Sequence, residues 1–405
     1  MLKPIKAAAV FTFLLIFSVI PTFADDPFTA YLFAYFTGNN KTQEAIRFAI
    51  SDDAHNFKAL NNNNPVIRSE EISSTGGVRD PHILRGENND YYMVVTDMVS
   101  ANGWASNRGL VLLRSTNLID WTSSAINIPK TFPDYSSADR VWAPQVIFDP
   151  EVGKYMVYFA MRLGPGVTDK LYYSYADTTF TRLETAPKLL YAYNGNAAID
   201  ADIIYKDGTY HLFFKTEGSG NGIKSAISKK LTEGYELYDK YLQVTNAAVE
   251  GSCVFRLIDS DTYVLMYDVY TSGKYEFALS TDLKNFSKDP EPISFNFTPR
   301  HGTVIPITDK EKNALLAKWD PVAVSKSLKN PVEQRIRWSG KTLELSFGNR
   351  ELSGTVSVVN LCGREVLRKA VSGKVARIQM SNMPSGVYHI KMNSAKHLRS
   401  RIILR

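Results

Sequence analysis

Arg79-Asp80-Pro81-His82-Ile83-Leu84, then Tyr91-Tyr92-Met93-Val94-Val95, then Leu113-Arg114-Ser115: this succession of a polar-led strand, an aromatic-aliphatic strand and a strand closing on serine decides the fold, because the chain repeats it. Aromatic-aliphatic runs begin at Tyr31, Tyr91, Tyr155, Tyr210 and Tyr263, spaced 60, 64, 55 and 53 residues apart. Each leads to a second apolar run ending on serine, at Ser51, Ser115, Ser174, Ser228 and Ser280. Short strands with turn residues between them, recurring at such intervals, are what propeller blades look like in sequence. Polar-led segments precede four of the runs, starting at Asp80, Ala143, Asp200 and Glu250. A fifth, His301-Gly302-Thr303-Val304-Ile305, has no run after it, and the run at Tyr31 has no such segment before it. Ring closure resolves both gaps: the strand near His301 becomes the innermost strand of the blade that starts at Tyr31, and no sheet edge is left open. The expected fold is all-β, a five-bladed β-propeller over residues 25–320.

Stacked on their small second residue, the five polar-led segments put Asp80, Ala143, Asp200, Glu250 and His301 in one column. His82, Gln145, Asp202, Ser252 and Thr303 form another, two residues on. Innermost strands start around one mouth of the channel and side chains alternate with period two, so both columns are expected to face one pocket. Like charges in a poorly solvated cleft push at least one carboxyl pKa up. One carboxyl kept protonated beside one kept ionised is the acid and base pair that glycosidic-bond cleavage needs. Peptide and phosphate chemistry fit less well. There is no serine elbow and no His-Glu-x-x-His, and the glycine-rich stretch from Gly218 to Gly222 carries no lysine.

Five motifs, one per blade and in order, resemble glycoside hydrolase family 43: Arg79-Asp80-Pro81, Trp142-Ala143-Pro144, Ala198-Ile199-Asp200, Val249-Glu250-Gly251 and Arg300-His301-Gly302. The resemblance spans about residues 27 to 320. It implies an inverting enzyme in which Asp80 is the general base, Glu250 the general acid, and Asp200 the carboxylate that orients the acid and raises its pKa. Inversion would set Asp80 and Glu250 about 6.5–9.5 Å apart, with room for a water. Asp202 is the alternative holder of the third role, and column register favours Asp200. No cofactor is required, although the resemblance allows a channel ion such as Ca2+ beside His301, whose alternative is a satisfied core histidine. Trp142, Gln145, Asp202, Arg300 and His82 are the candidate substrate contacts. Trp104 and Tyr270 are further aromatic platforms for a sugar ring, and Trp142 has the propeller core as its alternative. Arg79, Arg140 and Arg300 are expected to neutralise carboxylates. Two departures stand out: Gln145 replaces an acidic residue common in the family, and Ala201 replaces a proline.

The chain's 405 residues are 44% hydrophobic and 22% charged, which excludes disorder, and its net charge of +6 is an average of two unlike parts. Residues 321–405 hold 16 Lys+Arg against 4 Asp+Glu, so the remainder is acidic, which removes the reason to expect nucleic acid as a partner. Lys3 and Lys6, an apolar run from Ala7 to Ile20 and Thr22-Phe23-Ala24 read as a signal peptide over 1–24. No segment is apolar enough to be expected to span a membrane. Residues 321–331 read as a linker, and six alternating strands over 332–405 as a small β-sandwich. Val358-Val359-Asn360-Leu361-Cys362-Gly363 and Met383-Pro384-Ser385-Gly386-Val387-Tyr388 resemble the C-terminal sorting domain of type IX secretion cargo, which implies secretion machinery as partner; a carbohydrate-binding module is the alternative. Cys253 and Cys362, in different domains, are expected to be buried free thiols. The whole then reads as a secreted or cell-surface glycosidase releasing α-L-arabinofuranosyl or β-D-xylosyl residues from plant polysaccharide. A catalytically silent glycan-binding propeller, or the same chemistry on galactan and arabinogalactan side chains, are the competing readings.

Overall fold

In the strand Phe28–Phe36 every residue from Ala30 onward is buried. Alternate side chains point to opposite faces: Leu32 and Ala34 pack with Val78, Met93 and Val111, whereas Phe33 and Tyr35 pack with Phe255, Met266 and Phe277. A strand covered on both faces reads as an unbroken apolar run rather than an alternating one, and the runs at Tyr91, Tyr155, Tyr210 and Tyr263 are buried in the same way. Five apolar clusters, one between each pair of neighbouring sheets, make up the core of this unit. The computed structural model describes residues 26–218 and 221–320 and, of the tail, 334–339, 342–347, 352–360, 364–380, 384, 386–393 and 398–404. The expected signal peptide, the linker and Cys362 lie outside the described residues.

Four blades run outward in chain order from an innermost strand. They are Val78–Arg85, Tyr91–Asp97, Gly109–Ser115 and Thr122–Asn127; Arg140–Asp149, Lys154–Arg162, Lys170–Tyr175 and Lys188–Tyr191; Ala198–Lys206, Thr209–Thr216, Ile223–Ser228 and Glu236–Tyr238; and Glu250–Arg256, Tyr263–Val269, Lys274–Ser280 and Ser287–Lys288. The remaining blade closes the ring as expected: Arg300–Thr308 pairs antiparallel with Phe28–Phe36, followed by Arg47–Ser51 and Asn56–Ala59. Ser294–Phe295 adds a further, parallel strand on Asn56–Ala59, so the C-terminal segment clasps both edges of this blade. Each innermost strand touches the next around the ring. The architecture is a five-bladed β-propeller.

The helix Asp309–Trp319 follows at once, started by a capping box between Thr308 and Glu311. Glu311 also accepts two hydrogen bonds from Arg85, Leu315 is fully buried between the first two blades, and Trp319 stands edge-on to Phe48. By its internal contacts the chain divides into residues up to Asp320 and residues from Pro321 on. The second unit is a β-sandwich. Gln334–Ser339, Thr342–Phe347 and Val375–Gln379 form one sheet, and Glu365–Gly373, Leu352–Asn360, Gly386–Asn393 and Leu398–Leu404 the other. Leu343, Leu345 and Ile378 from the first sheet and Val356, Val358 and Ile390 from the second share its core. The described residues hold seven strands rather than six; the extra one, Gln334–Ser339, alternates Arg335 and Arg337 with Ile336 and Trp338.

Candidate active site

Every innermost strand carries the same irregularity near its start. Pairing with the second strand slips between Arg79 and His82, between Trp142 and Gln145, between Ile199 and Asp202, between Glu250 and Cys253, and between Arg300 and Thr303. Two residues there oppose one, which is a β-bulge, a device that re-aims side chains. The first bulged residue has left-handed backbone in four of the five strands: φ is 51° at Asp80, 43° at Ala143, 50° at Asp200 and 63° at Gly251. The equivalent position in the closing strand is His301.

This register corrects one expectation. Glu250 does not share a column with Asp80 and Asp200; it stands one residue earlier, level with Arg79, Trp142, Ile199 and Arg300. The left-handed position in its strand is taken by Gly251, where a Cβ would meet the Cβ of His301 at 2.8 Å. Stacking on the small second residue failed because in this strand the small residue is itself the first of the bulge.

The bulge also breaks the period-two alternation that put the second column on the pocket face. His82, Gln145 and Asp202 are buried and join neighbouring blades instead. The Val146 amide donates to Nδ1 of His82 at 3.3 Å, Oε1 of Gln145 accepts from the Tyr158 hydroxyl at 2.9 Å, and that hydroxyl accepts from the Ile203 amide at 3.0 Å. The Val254 amide donates to Oδ2 of Asp202, the sulfur of Cys253 accepts from the Val304 amide, and the Thr303 hydroxyl donates to the Pro81 carbonyl. A ring of five such links ties each innermost strand to the next. Burial, helped by the charge on His301, pushes the His82 pKa down to about 3, so its ring is neutral and able to accept. As substrate contacts His82, Gln145 and Asp202 are therefore displaced by a structural role, and Asp202 faces Val254 rather than the pocket carboxylates. Cys253 is a buried free thiol, as expected.

The structure does bring Asp80, Asp200 and His301 together. Nδ1 of His301 lies 3.6 Å from Oδ1 of Asp80 and 3.9 Å from Oδ1 of Asp200. The other oxygen of Asp80 accepts from the Thr96 hydroxyl at 2.8 Å, and that of Asp200 from the Gly251 amide at 2.9 Å. Burial alone would lower the His301 pKa, but Asp200, Asp80 and Glu250 raise it to about 9, so the ring is an imidazolium. Burial likewise works to raise Asp80, yet its pairing with His301, the charge of Arg79 and the hydrogen bond from Thr96 outweigh it and leave this carboxyl below its usual value. Asp200 goes the other way, pushed up to about 6 by burial, with the charges of Glu250 and Asp80 adding and His301 opposing. The two carboxyls on one imidazolium are thus held in opposite senses, Asp80 favouring its ionised form and Asp200 its protonated form.

Glu250 sits at the edge of this trio. Arg300 donates to its Oε1, and Lys215 Nζ to its Oε2 at 3.3 Å. Arg300 also donates through Nε to Oδ2 of Asp268, and Lys215 to Glu217 at 3.1 Å with its ammonium 5.0 Å from the ring centre of Tyr270. Thr96, Lys215 and Asp268 were missed in the sequence. Each is the first residue after an aromatic-aliphatic run and lies opposite Arg79, Ile199 or Glu250 in register, so a polar residue closing an apolar run was the available signal. Of the three arginines, Arg300 is the one ion-paired to a predicted site carboxylate, while Arg79 acts on Asp80 through its charge. Arg79 pairs with buried Glu44 between the rings of Phe36 and Trp104, and Arg140 pairs with Asp169 over the ring of Trp142. Trp142 is partly buried in the core between two blades and meets the half-exposed Trp104 edge-on. Without a metal His301 is held as a cation between Asp80 and Asp200, and the described residues contain no cluster of three His, Cys, Asp or Glu able to hold a metal.

Residues 26–313 match the family profile described as "Probable glycosyl hydrolase domain", and residues 330–405 match "Secretion system C-terminal sorting domain". A curated relative, an α-L-arabinofuranosidase of Bifidobacterium longum subsp. longum, is 28% identical over 251 residues, 55% of this chain and 22% of the relative. The chain thus spans about a fifth of that protein's length. Among solved structures, an endo-1,4-β-xylanase from Bacteroides thetaiotaomicron shares 15% identity over 68% of this chain and 97% of its own, at a TM-score of 0.48. A GH43 β-1,3-galactosidase shares 12% identity over 90% and 72%, at 0.49. Among the described residues no helix is long and apolar enough to cross a membrane.

Proposed function

The chain belongs to the glycoside hydrolase family 43-related proteins through residues 26–313 and carries a type IX sorting domain that marks it for export, and from that premise we propose that it is an inverting α-L-arabinofuranosidase or β-xylosidase acting on plant polysaccharide. In this reading Asp80 is the general base that takes a proton from water as it attacks the anomeric carbon. Its low pKa, held down by His301, suits a group that must be ionised. Glu250 is the general acid that protonates the leaving oxygen, and Asp200 shares its charge with both. The observation that carries the reading is the pair Asp80 and Asp200 on one imidazolium, with Glu250 held beside them by Arg300 and Lys215. As an acid Glu250 must offer a protonated oxygen, and both its oxygens face cations here. Substrate entry is thus expected to draw off Lys215, the longer contact. The arabinofuranosyl preference draws on the arabinofuranosidase relative.

The case for a glycan-binding propeller without catalysis rests on the two departures from the family pattern, Gln145 and Ala201. Gln145 instead links two blades through Tyr158, and Ala201 fills the second bulge position, which Pro81 and Pro144 hold elsewhere. Neither bears on proton transfer. A screen of nitrophenyl arabinofuranosides, xylosides and galactosides tests the sugar, and turnover confined to galactosides would replace the pentose reading. Glu250→Gln should cut turnover of poor leaving groups about 10²- to 10⁴-fold, the usual contribution of a positioned acid or base. Asp80→Asn should do so for all leaving groups, and wild-type rates in either variant would overturn its assignment.

A further inference from the structure

Asp268 is completely buried at the end of the strand Tyr263–Val269, directly opposite Glu250 in register. Its Oδ2 accepts from Nε of Arg300, whose other arm donates to Oε1 of Glu250. Its Oδ1 is buried with no hydrogen-bond partner, and so is the hydroxyl of Tyr275, its register partner on the next strand. A buried carboxylate with an unpaired oxygen is costly, and a salt bridge of this kind does not by itself stabilise a fold. Its geometry gives it another use. Arg300 carries one positive charge shared between two carboxylates, and only the shared arrangement keeps the guanidinium from turning wholly onto Glu250. We propose that Asp268 is a positioning residue for glycosidic-bond cleavage, acting through Arg300 to set where the carboxyl of Glu250 points and how tightly it is held. The inference rests on the reading of Glu250 as the acid and extends it.

The other charged groups at this end are Lys215 and Glu217 on the facing blade, and Asp200 and His301. Lys215 stands on Oε2 of Glu250 while Arg300 stands on Oε1. Loss of the Asp268 charge therefore leaves Glu250 facing an undivided Arg300 beside the Lys215 that it shares with Glu217, a poorer proton donor in an unchanged sugar site.

The test is Asp268→Asn in the full chain, measured on 2,4-dinitrophenyl and unsubstituted phenyl glycosides of the sugar that wild type hydrolyses. The expected result is a kcat about 10- to 100-fold lower on the phenyl glycoside, a KM within a few fold, and little change on the dinitrophenyl glycoside, which leaves without acid help. Equal losses on both substrates, or none on either, would overturn the proposal. Glu250→Gln run in parallel separates the two readings. If it abolishes phenyl-glycoside turnover and Asp268→Asn does not lower it, only the positioning role fails; if it does not, the acid assignment fails and takes this one with it. A crystal structure of Asp268→Asn gives a readout independent of turnover: Arg300 is expected to leave residue 268 and carry the Glu250 carboxyl with it, and superposition of both side chains on wild type would overturn the role.

Discussion

His301 ties together the residues that sequence reading found most readily. Its folded pKa of about 9 against an ordinary 6.5 means that the folded chain binds its proton more tightly than the unfolded chain does. That contribution, on the order of 3 kcal/mol, is complete below about pH 6.5 and is lost as pH rises through 9. Asp200, raised by burial to about 6, acts in the same direction at lower pH, losing its contribution between its ordinary 3.8 and 6. Thermal unfolding should therefore occur at a lower temperature at pH 9.5 than at pH 6, and His301→Gln should flatten the part of that dependence between 6.5 and 9. A Tm that rises with pH over this range would contradict the assignment. The same variant strips Asp80 of its main stabilising partner, so the acidic limb of the kcat/KM profile should move to higher pH. Asp80, Asp200 and His301 were legible because equivalent positions of a repeat meet at one mouth whatever the local geometry. Glu250 was found by its motif but placed one residue out, and Asp268, Lys215 and Thr96 were passed over because they end strands that otherwise read as core.

At the scale of the strand, the bulge made the difference. Two-residue periodicity predicts the blade faces correctly along the apolar runs, where Leu32 and Phe33 do go to opposite clusters, and fails across the bulge, where a left-handed residue turns the next side chains toward the neighbouring blade. No pattern of apolar and polar residues announces a left-handed aspartate, which is why His82, Gln145 and Asp202 were read as pocket residues. Ring closure was legible, because it followed from counting strands; the two-residue clasp Ser294–Phe295 was too short to leave a pattern. Two glycines test the geometry separately. Gly251 is left-handed, and a side chain there would cost about 1–2 kcal/mol of backbone strain and press on the Cβ of His301. Gly251→Ala should thus lower activity more than 10-fold with a modest fall in the urea midpoint. Gly302 is not left-handed, but a Cβ there would lie 2.0 Å from the carbonyl oxygen of Ala34, a backbone atom that cannot move aside. Gly302→Ala should disrupt the closing pair of strands and show its effect chiefly as lost stability or lost soluble protein, not as an altered kcat of what folds.

For the molecule as a whole, charge and contacts divide the chain at nearly the same place. The +6 average conceals an acidic propeller and a tail with 16 basic against 4 acidic residues, and the contacts part at Asp320. The helix Asp309–Trp319 belongs on the propeller side. Glu311 caps the helix, takes Arg85 by both oxygens and bonds the Tyr91 hydroxyl, and Leu315 and Trp319 complete the apolar cluster between the first two blades. Where the chain is cut should therefore matter more than how much is removed. Ending it after Asp320 should leave kcat, KM and Tm of the propeller within error of the full chain, because the sandwich has its own core of Leu343, Val356, Val358 and Ile390. Ending it only twelve residues earlier, after Thr308, should lower Tm by several degrees: it strips a buried leucine worth about 2–5 kcal/mol and leaves the Arg85 guanidinium without its carboxylate. Equal stability of the two truncated chains would mean that the helix is an appendage. In a host with the secretion system that reads this tail, the chain ending at Asp320 should be active yet remain in the periplasm, whereas the full chain reaches the surface or the medium. Activity recovered outside such cells without the tail would separate export from the sorting domain and leave its excess of basic residues to be explained by some other partner.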